Sequence, residues 1–113
     1  MASKLSSGDT ISDRYGSALY DIASEKKCID NILNDFELVE KVIKKNNELS
    51  QVIRSPLVNS EEKLNILLKI FSQSNLHNLT KNFLRVLDNN KRISNLLSII
   101  LQFKKINSEK RGD

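Results

Sequence analysis

The stretch "NFLRVLDNNKRISNL", Asn82 to Leu96, decides the fold class. Phe83, Leu84, Val86 and Leu87 recur at helical spacing and not with the alternation of a strand, a polar turn without glycine follows at "DNNKR", and an apolar helical pattern resumes at Ile93. The segment therefore reads as helix, turn, helix. A surface helix needs one core-facing stripe, and four large apolar side chains within five positions exceed it. The surplus raises the question of what else this helix faces.

The same periodicity extends in both directions. Thr10 offers a capping hydroxyl with Asp13 three residues on, and Ile11, Tyr15, Ala18, Leu19 and Ile22 follow at helical spacing, predicting a first helix from Ile11 to about Lys26. Gly16 sits inside it at a cost of about 1 kcal/mol against alanine, so it is either tolerated or marks a close approach. Ile29, Ile32, Leu33, Phe36, Val39 and Ile43 mark a second helix ending near Lys44 to Asn47. A short third, through Leu49, Val52 and Ile53, should stop before Pro56, because the residue preceding proline disfavours helical geometry. Asn59 to Glu62 supplies a cap and first-turn acids for a fourth helix, whose Leu64, Ile66, Leu67, Leu68, Ile70 and Phe71 cover most of its circumference and predict a central position. The fifth carries Leu79, Phe83, Val86 and Leu87, and the sixth Ile93, Leu96, Leu97, Ile100 and Phe103. The expected fold is all-α, a compact bundle of five to six short helices, with a flexible tail over residues 1–10, the bundle over 11–106 and the start of a linker over 107–113.

Composition agrees. The chain has 113 residues, 39% hydrophobic and 28% charged, with three Gly and one Pro, which suits one helical domain and not a turn-rich sheet fold. Its net charge of +4 is uneven: residues 1–56 hold eight Lys/Arg against nine Asp/Glu, whereas residues 57–113 hold ten against five. Lone Cys28 cannot form an internal disulfide and reads as a small buried or boundary side chain in a reducing compartment. No apolar run approaches the roughly 20 residues of a membrane span, so no membrane insertion is expected.

Catalytic and cofactor chemistry has no constellation to carry it. One His and one Cys, far apart in sequence, cannot build a metal site, and no glycine-rich run exists to cradle a phosphate. His77 reads as a capping or solvated residue. Asn78-Leu79-Thr80 spells a glycosylation sequon and Arg111-Gly112-Asp113 the integrin tripeptide, and both are expected to be chance matches, since no stretch of the sequence reads as an export signal. No catalytic, cofactor or metal residue is assigned, and a scaffold or adaptor remains.

Three stretches together resemble one family. "DRYGSALYDIASEKK" (Asp13 to Lys27) is similar to the opening helix of the delta subunit of bacterial F-type ATP synthases, the oligomycin-sensitivity-conferring protein (OSCP) of mitochondria. "SPLVNSEEKLNILLKIF" resembles that family's proline followed by a charged helix, and "NFLRVLDNNKRISNLLSIILQF" its second signature, although Lys91 stands where the family often has Gly. The resemblance implies a non-catalytic stator component of a proton-translocating F-type ATP synthase, on the cytoplasmic face of a bacterial inner membrane or the matrix face of the mitochondrial one. It implies a six-helix domain that caps the catalytic head by receiving the N-terminal helix of an α subunit, and a C-terminal domain, beyond this chain, that joins the peripheral-stalk b subunits.

The family's groove lies between its first and fifth helices, which carries it here onto Tyr15, Ala18, Leu19, Ile22, Leu79, Phe83, Val86 and Leu87, with Tyr15, Ala18 and Val86 as its floor. Each of these eight would serve a core as readily as a binding surface, since both ask for apolar residues at helical spacing. Asn82 and Arg85 fit a polar rim. Gly16 would let a partner backbone come close, or is simply tolerated. An alternative from another class is an all-helical RNA-binding adaptor that uses the basic second half.

Overall fold

The computed structural model describes residues 10–112; the expected N-terminal tail, Thr10 apart, lies outside them. They form six helices: α1 (Ile11–Glu25), α2 (Ile29–Lys45), α3 (Asn47–Arg54), α4 (Ser60–Ile70), α5 (Asn78–Asn89) and α6 (Leu96–Lys110), the last preceded by a 3-10 turn at Ile93–Asn95. No strand occurs among the described residues, and the fold class is all-α, as the sequence predicts.

Local chemistry sets most of these boundaries. The Thr10 hydroxyl accepts from the Asp13 N–H at 3.1 Å, the Asn46 side chain from the Leu49 N–H at 3.1 Å and the Asn59 side chain from the Glu62 N–H at 2.9 Å. Each cap satisfies one of the amides that a helix start leaves without an intrahelical acceptor. Ser55, just before Pro56, is extended at φ −72°, ψ 131° and ends α3.

Two helices end in the same way on a lysine. At the end of α1 the Cys28 N–H donates to the Ala23 carbonyl (2.9 Å) and the Lys27 N–H to Ser24 (3.1 Å); after α5 the Arg92 N–H donates to Leu87 (2.7 Å) and the Lys91 N–H to Asp88 (2.9 Å). These paired bonds are Schellman closures, which put the residue after the cap in the left-handed region. Lys27 and Lys91 sit there at φ 55° and 58°. The first closure tucks Cys28 inward, where it is buried. The second explains why glycine suits position 91. Lys27→Gly and Lys91→Gly are each expected to raise stability by about 1 kcal/mol, read from urea unfolding midpoints, because glycine takes this conformation without the Cβ clash.

The helices sort into two units. One joins the residues up to Ile29 with those from Asn95 onward; the other is Asp30–Ser94. In the first, α1 packs along α6 with both helices running the same way: Gly16 faces Gln102, and further on the Tyr20 hydroxyl donates to the Asn107 side-chain oxygen at 3.1 Å. The rings of Tyr20 and Phe103 meet at 5.3 Å, tilted by 56°. A Cβ on Gly16 would lie 3.3 Å from both Cβ and Cγ of Gln102 and 3.4 Å from the Phe103 nitrogen. The space that glycine leaves is thus taken by α6 of the same chain, and the expectation that it admits a partner backbone is corrected. Gly16→Leu should cost about 2 kcal/mol in urea unfolding, since the added carbons have nowhere to go without shifting α6. Along α6 the buried face is Leu96, Ile99, Ile100 and Phe103, with Ile99 taking the place expected of Leu97. The helix runs past position 106 to Lys110, and Gly112 (φ 80°) turns the chain off it.

The second unit holds α2 to α5. Ile32, Phe36, Val39 and Ile43 form the buried stripe of α2, and Phe36 meets Phe83 of α5 at a ring distance of 6.3 Å. Helix α4 buries only Lys63, Leu64 and Leu67 and leaves Ile70 exposed. The central position expected for it is therefore incorrect: its surplus apolar residues lie outside the single face that packs.

Candidate functional site

Helix α5 is anchored at its start by residues that no local pattern relates. The Asp35 carboxylate on α2 accepts the Thr80 hydroxyl at 2.6 Å and the His77 N–H at 2.8 Å through the same oxygen. Thr80 is fully buried, so this acceptor satisfies a hydroxyl that water cannot reach. The negative charge also lies at the positive end of the α5 dipole. His77 then caps the helix, its Nδ1 accepting from the Leu79 N–H at 3.0 Å, the capping role expected of it. Thr80 of the apparent sequon is committed inside the fold, and Asp113 of the terminal tripeptide lies outside the described residues. Asp35 carries no signal in the sequence, because its partners lie more than forty positions away.

Set in this way, α5 turns Thr80, Phe83, Leu84 and Leu87 inward, at spacings of three, four and seven. That leaves Val86, 44% exposed, on the opposite side, with Leu79 half-buried seven residues before it. Asn82 and Arg85 flank Val86, both exposed, and the Arg85 guanidinium donates to the Asn82 side-chain oxygen at 3.1 Å. On α1 the buried face is Gly16, Leu19, Tyr20 and Ala23. Tyr15, half-buried, and Ala18 and Ile22, both exposed, lie three and seven apart along another face, Ile22 being 41% exposed. Of the eight predicted positions, Leu19, Phe83 and Leu87 are buried, while Tyr15, Ala18, Ile22, Leu79 and Val86 keep surface. The surplus apolar side chain in "NFLRVL" is Val86.

No group of three or more His, Cys, Asp and Glu among the described residues is placed to hold a metal ion, and none of the described helices is long and apolar enough to cross a membrane. These features define an all-helical protein in which side-chain hydrogen bonds cap helices and tie α2 to α5. Residues 11–113 match the family of the ATP synthase delta (OSCP) subunit, and the chain belongs to that family. It is 36% identical over 103 residues to the ATP synthase subunit delta of Carboxydothermus hydrogenoformans, covering 91% of this chain and 57% of that protein. To the ATP synthase subunit delta of Brucella anthropi it is 32% identical over 103 residues, covering 91% and 55%. To that of Rhizobium etli it is 28% identical over 111 residues, covering 98% and 58%. The chain thus spans a little more than half the length of these relatives. Nothing in these comparisons supports the RNA-binding alternative.

Proposed function

We propose that this chain is a stator module of a proton-translocating F-type ATP synthase, capping the catalytic head by taking the N-terminal helix of an α subunit on α1 and α5. A helix bound there holds the head still against the turning rotor, so that rotational work reaches the nucleotide sites. The b subunits of the peripheral stalk attach through the length of the relatives that this chain does not span, beyond a linker that follows α6. The chain lies peripherally on the cytoplasmic face of a bacterial inner membrane and catalyses nothing itself.

The observation that carries this reading is the exposure of Ile22 and Val86, two of the five large hydrophobics left exposed among the described residues, on the two helices to which the resemblance assigns the groove. An amphipathic helix docks by laying its apolar face against such positions, with polar residues at the edge. Tyr15, Ala18, Ile22, Leu79 and Val86 supply the contact; Leu19, Phe83 and Leu87 hold their helices in place beneath it; Asn82 and Arg85 form the edge.

Isothermal titration with a peptide copying the α subunit's N-terminal helix tests this. Saturable binding with a negative heat-capacity change and little dependence on salt is expected, as for buried apolar surface. Absence of binding, or binding that collapses with added salt as phosphate contacts do, would refute it.

A further inference from the structure

Lys63, one turn into α4, is largely buried and has no counter-ion beside it among the described residues. Its side chain is buried, at 5% residue exposure, and makes no hydrogen bond or ion pair among the described residues. Burial pushes its ammonium below the ordinary lysine range, because desolvation disfavours the charged form. Such a group is stabilised by an anion brought to it.

A cavity of about 250 Å³ lies against it, lined by Lys63, Lys91, Asn59, Ser60, Ser55 and Ser94 among others, and by no carboxylate. The Ser60 hydroxyl is closed off from solvent and has no hydrogen-bond partner, an uncommon state for a buried polar group. Ser60 and Glu61 open α4, so their N–H groups have no intrahelical acceptor, and the Asn59 cap is already taken by Glu62. Helix starts of this kind favour negative charge.

We propose that this cavity binds a small tetrahedral oxyanion of the phosphate class, held by the Lys63 and Lys91 ammonium groups, the Ser60 hydroxyl and the open amides of α4. Its volume falls below the roughly 300–1,000 Å³ of pockets that take drug-sized ligands, which favours a free ion over a nucleotide. Glu61 and Asp88 line an adjoining, more open recess and repel an anion from it, so the seat is the inner cavity beside Lys63. The same carboxylates oppose a polyanion such as RNA laid across the opening.

The test is an amide-resolved NMR titration of the chain with sodium phosphate, against sodium chloride at equal ionic strength. The Ser60 and Glu61 amides should shift saturably with a millimolar dissociation constant in phosphate and sulfate, and not in chloride. Lys63→Met should weaken phosphate binding about tenfold, and Ser60→Ala, which removes a hydroxyl without a partner and so spares the fold, about threefold. If Lys63→Met fails to fold, the wild-type and Ser60→Ala titrations decide. Shifts that do not saturate, that chloride reproduces, or that Ser60→Ala leaves unchanged would overturn the proposal. So would a response confined to a phosphoserine peptide, with none to free phosphate.

Discussion

Replacing Asp35 with alanine is expected to lower the stability of the chain by about 3 kcal/mol, the cost of leaving two inward donors without an acceptor at roughly 1–3 kcal/mol each. Among the described residues the fully buried Thr80 hydroxyl has only this carboxylate as a hydrogen-bond partner, and the His77 N–H bonds the same oxygen. Asp35→Asn, which keeps one acceptor oxygen, should cost about 1 kcal/mol, the difference between a charge-assisted and a neutral hydrogen bond. Thr80→Val removes the donor instead, at a similar cost of about 1 kcal/mol. Combining Asp35→Ala with Thr80→Val should then cost clearly less than the sum of the two, because the orphaned hydroxyl is gone. Urea unfolding of the four chains measures the cycle. Strict additivity would mean that the bond between Asp35 and Thr80 does not hold α5 to α2.

That bond marks the limit of what the sequence alone conveys. Helix starts at Thr10 and Asn59 and the stop before Pro56 were legible because cap, acid and proline act within a few residues of themselves. The class of the fold followed from the 3.6-residue spacing of its apolar positions. The inward face of a helix does not follow from spacing when apolar residues crowd most of its circumference. In α4 the pattern suggested a central helix, yet the chain packs one face and leaves Ile70 out. In α6 it marked Leu97, and Ile99 is buried instead. Gly16 could be noticed but not assigned, because the side chain that fills its space, Gln102, comes from the other end of the chain. Lys63 had no signal at all: a lysine after two first-turn glutamates reads as solvated, and the cavity it lines is shared with Lys91, Ile93 and Ser94, some thirty positions away.

The candidate site divides along the same line. Its helices were identifiable from motif order, but the choice between Val86 and Leu87 was not, since adjacent residues of one apolar run differ only in which side of α5 they occupy. The structure puts Leu87 at 0% exposure and Val86 at 44%, and this difference predicts opposite outcomes for the same substitution. Leu87→Asp loses the burial of a large side chain, roughly 2–5 kcal/mol with the cavity it leaves, and places a carboxylate where no partner waits. A total of about 5 kcal/mol or more is expected, enough to unfold a domain whose whole stability lies in the usual range of roughly 5–15 kcal/mol. Val86→Asp puts the charge at the surface and should cost under about 1 kcal/mol, with helical circular dichroism unchanged. Against the α-subunit peptide the order reverses in importance. An aspartate at position 86 must be desolvated under the docked helix, so affinity should fall about tenfold or more in a chain that is still folded. Circular dichroism, urea unfolding and isothermal titration on the two variants separate the possibilities. If Val86→Asp unfolds as Leu87→Asp does, Val86 is core; if it folds and binds as the wild type does, the partner helix does not lie on this face of α5.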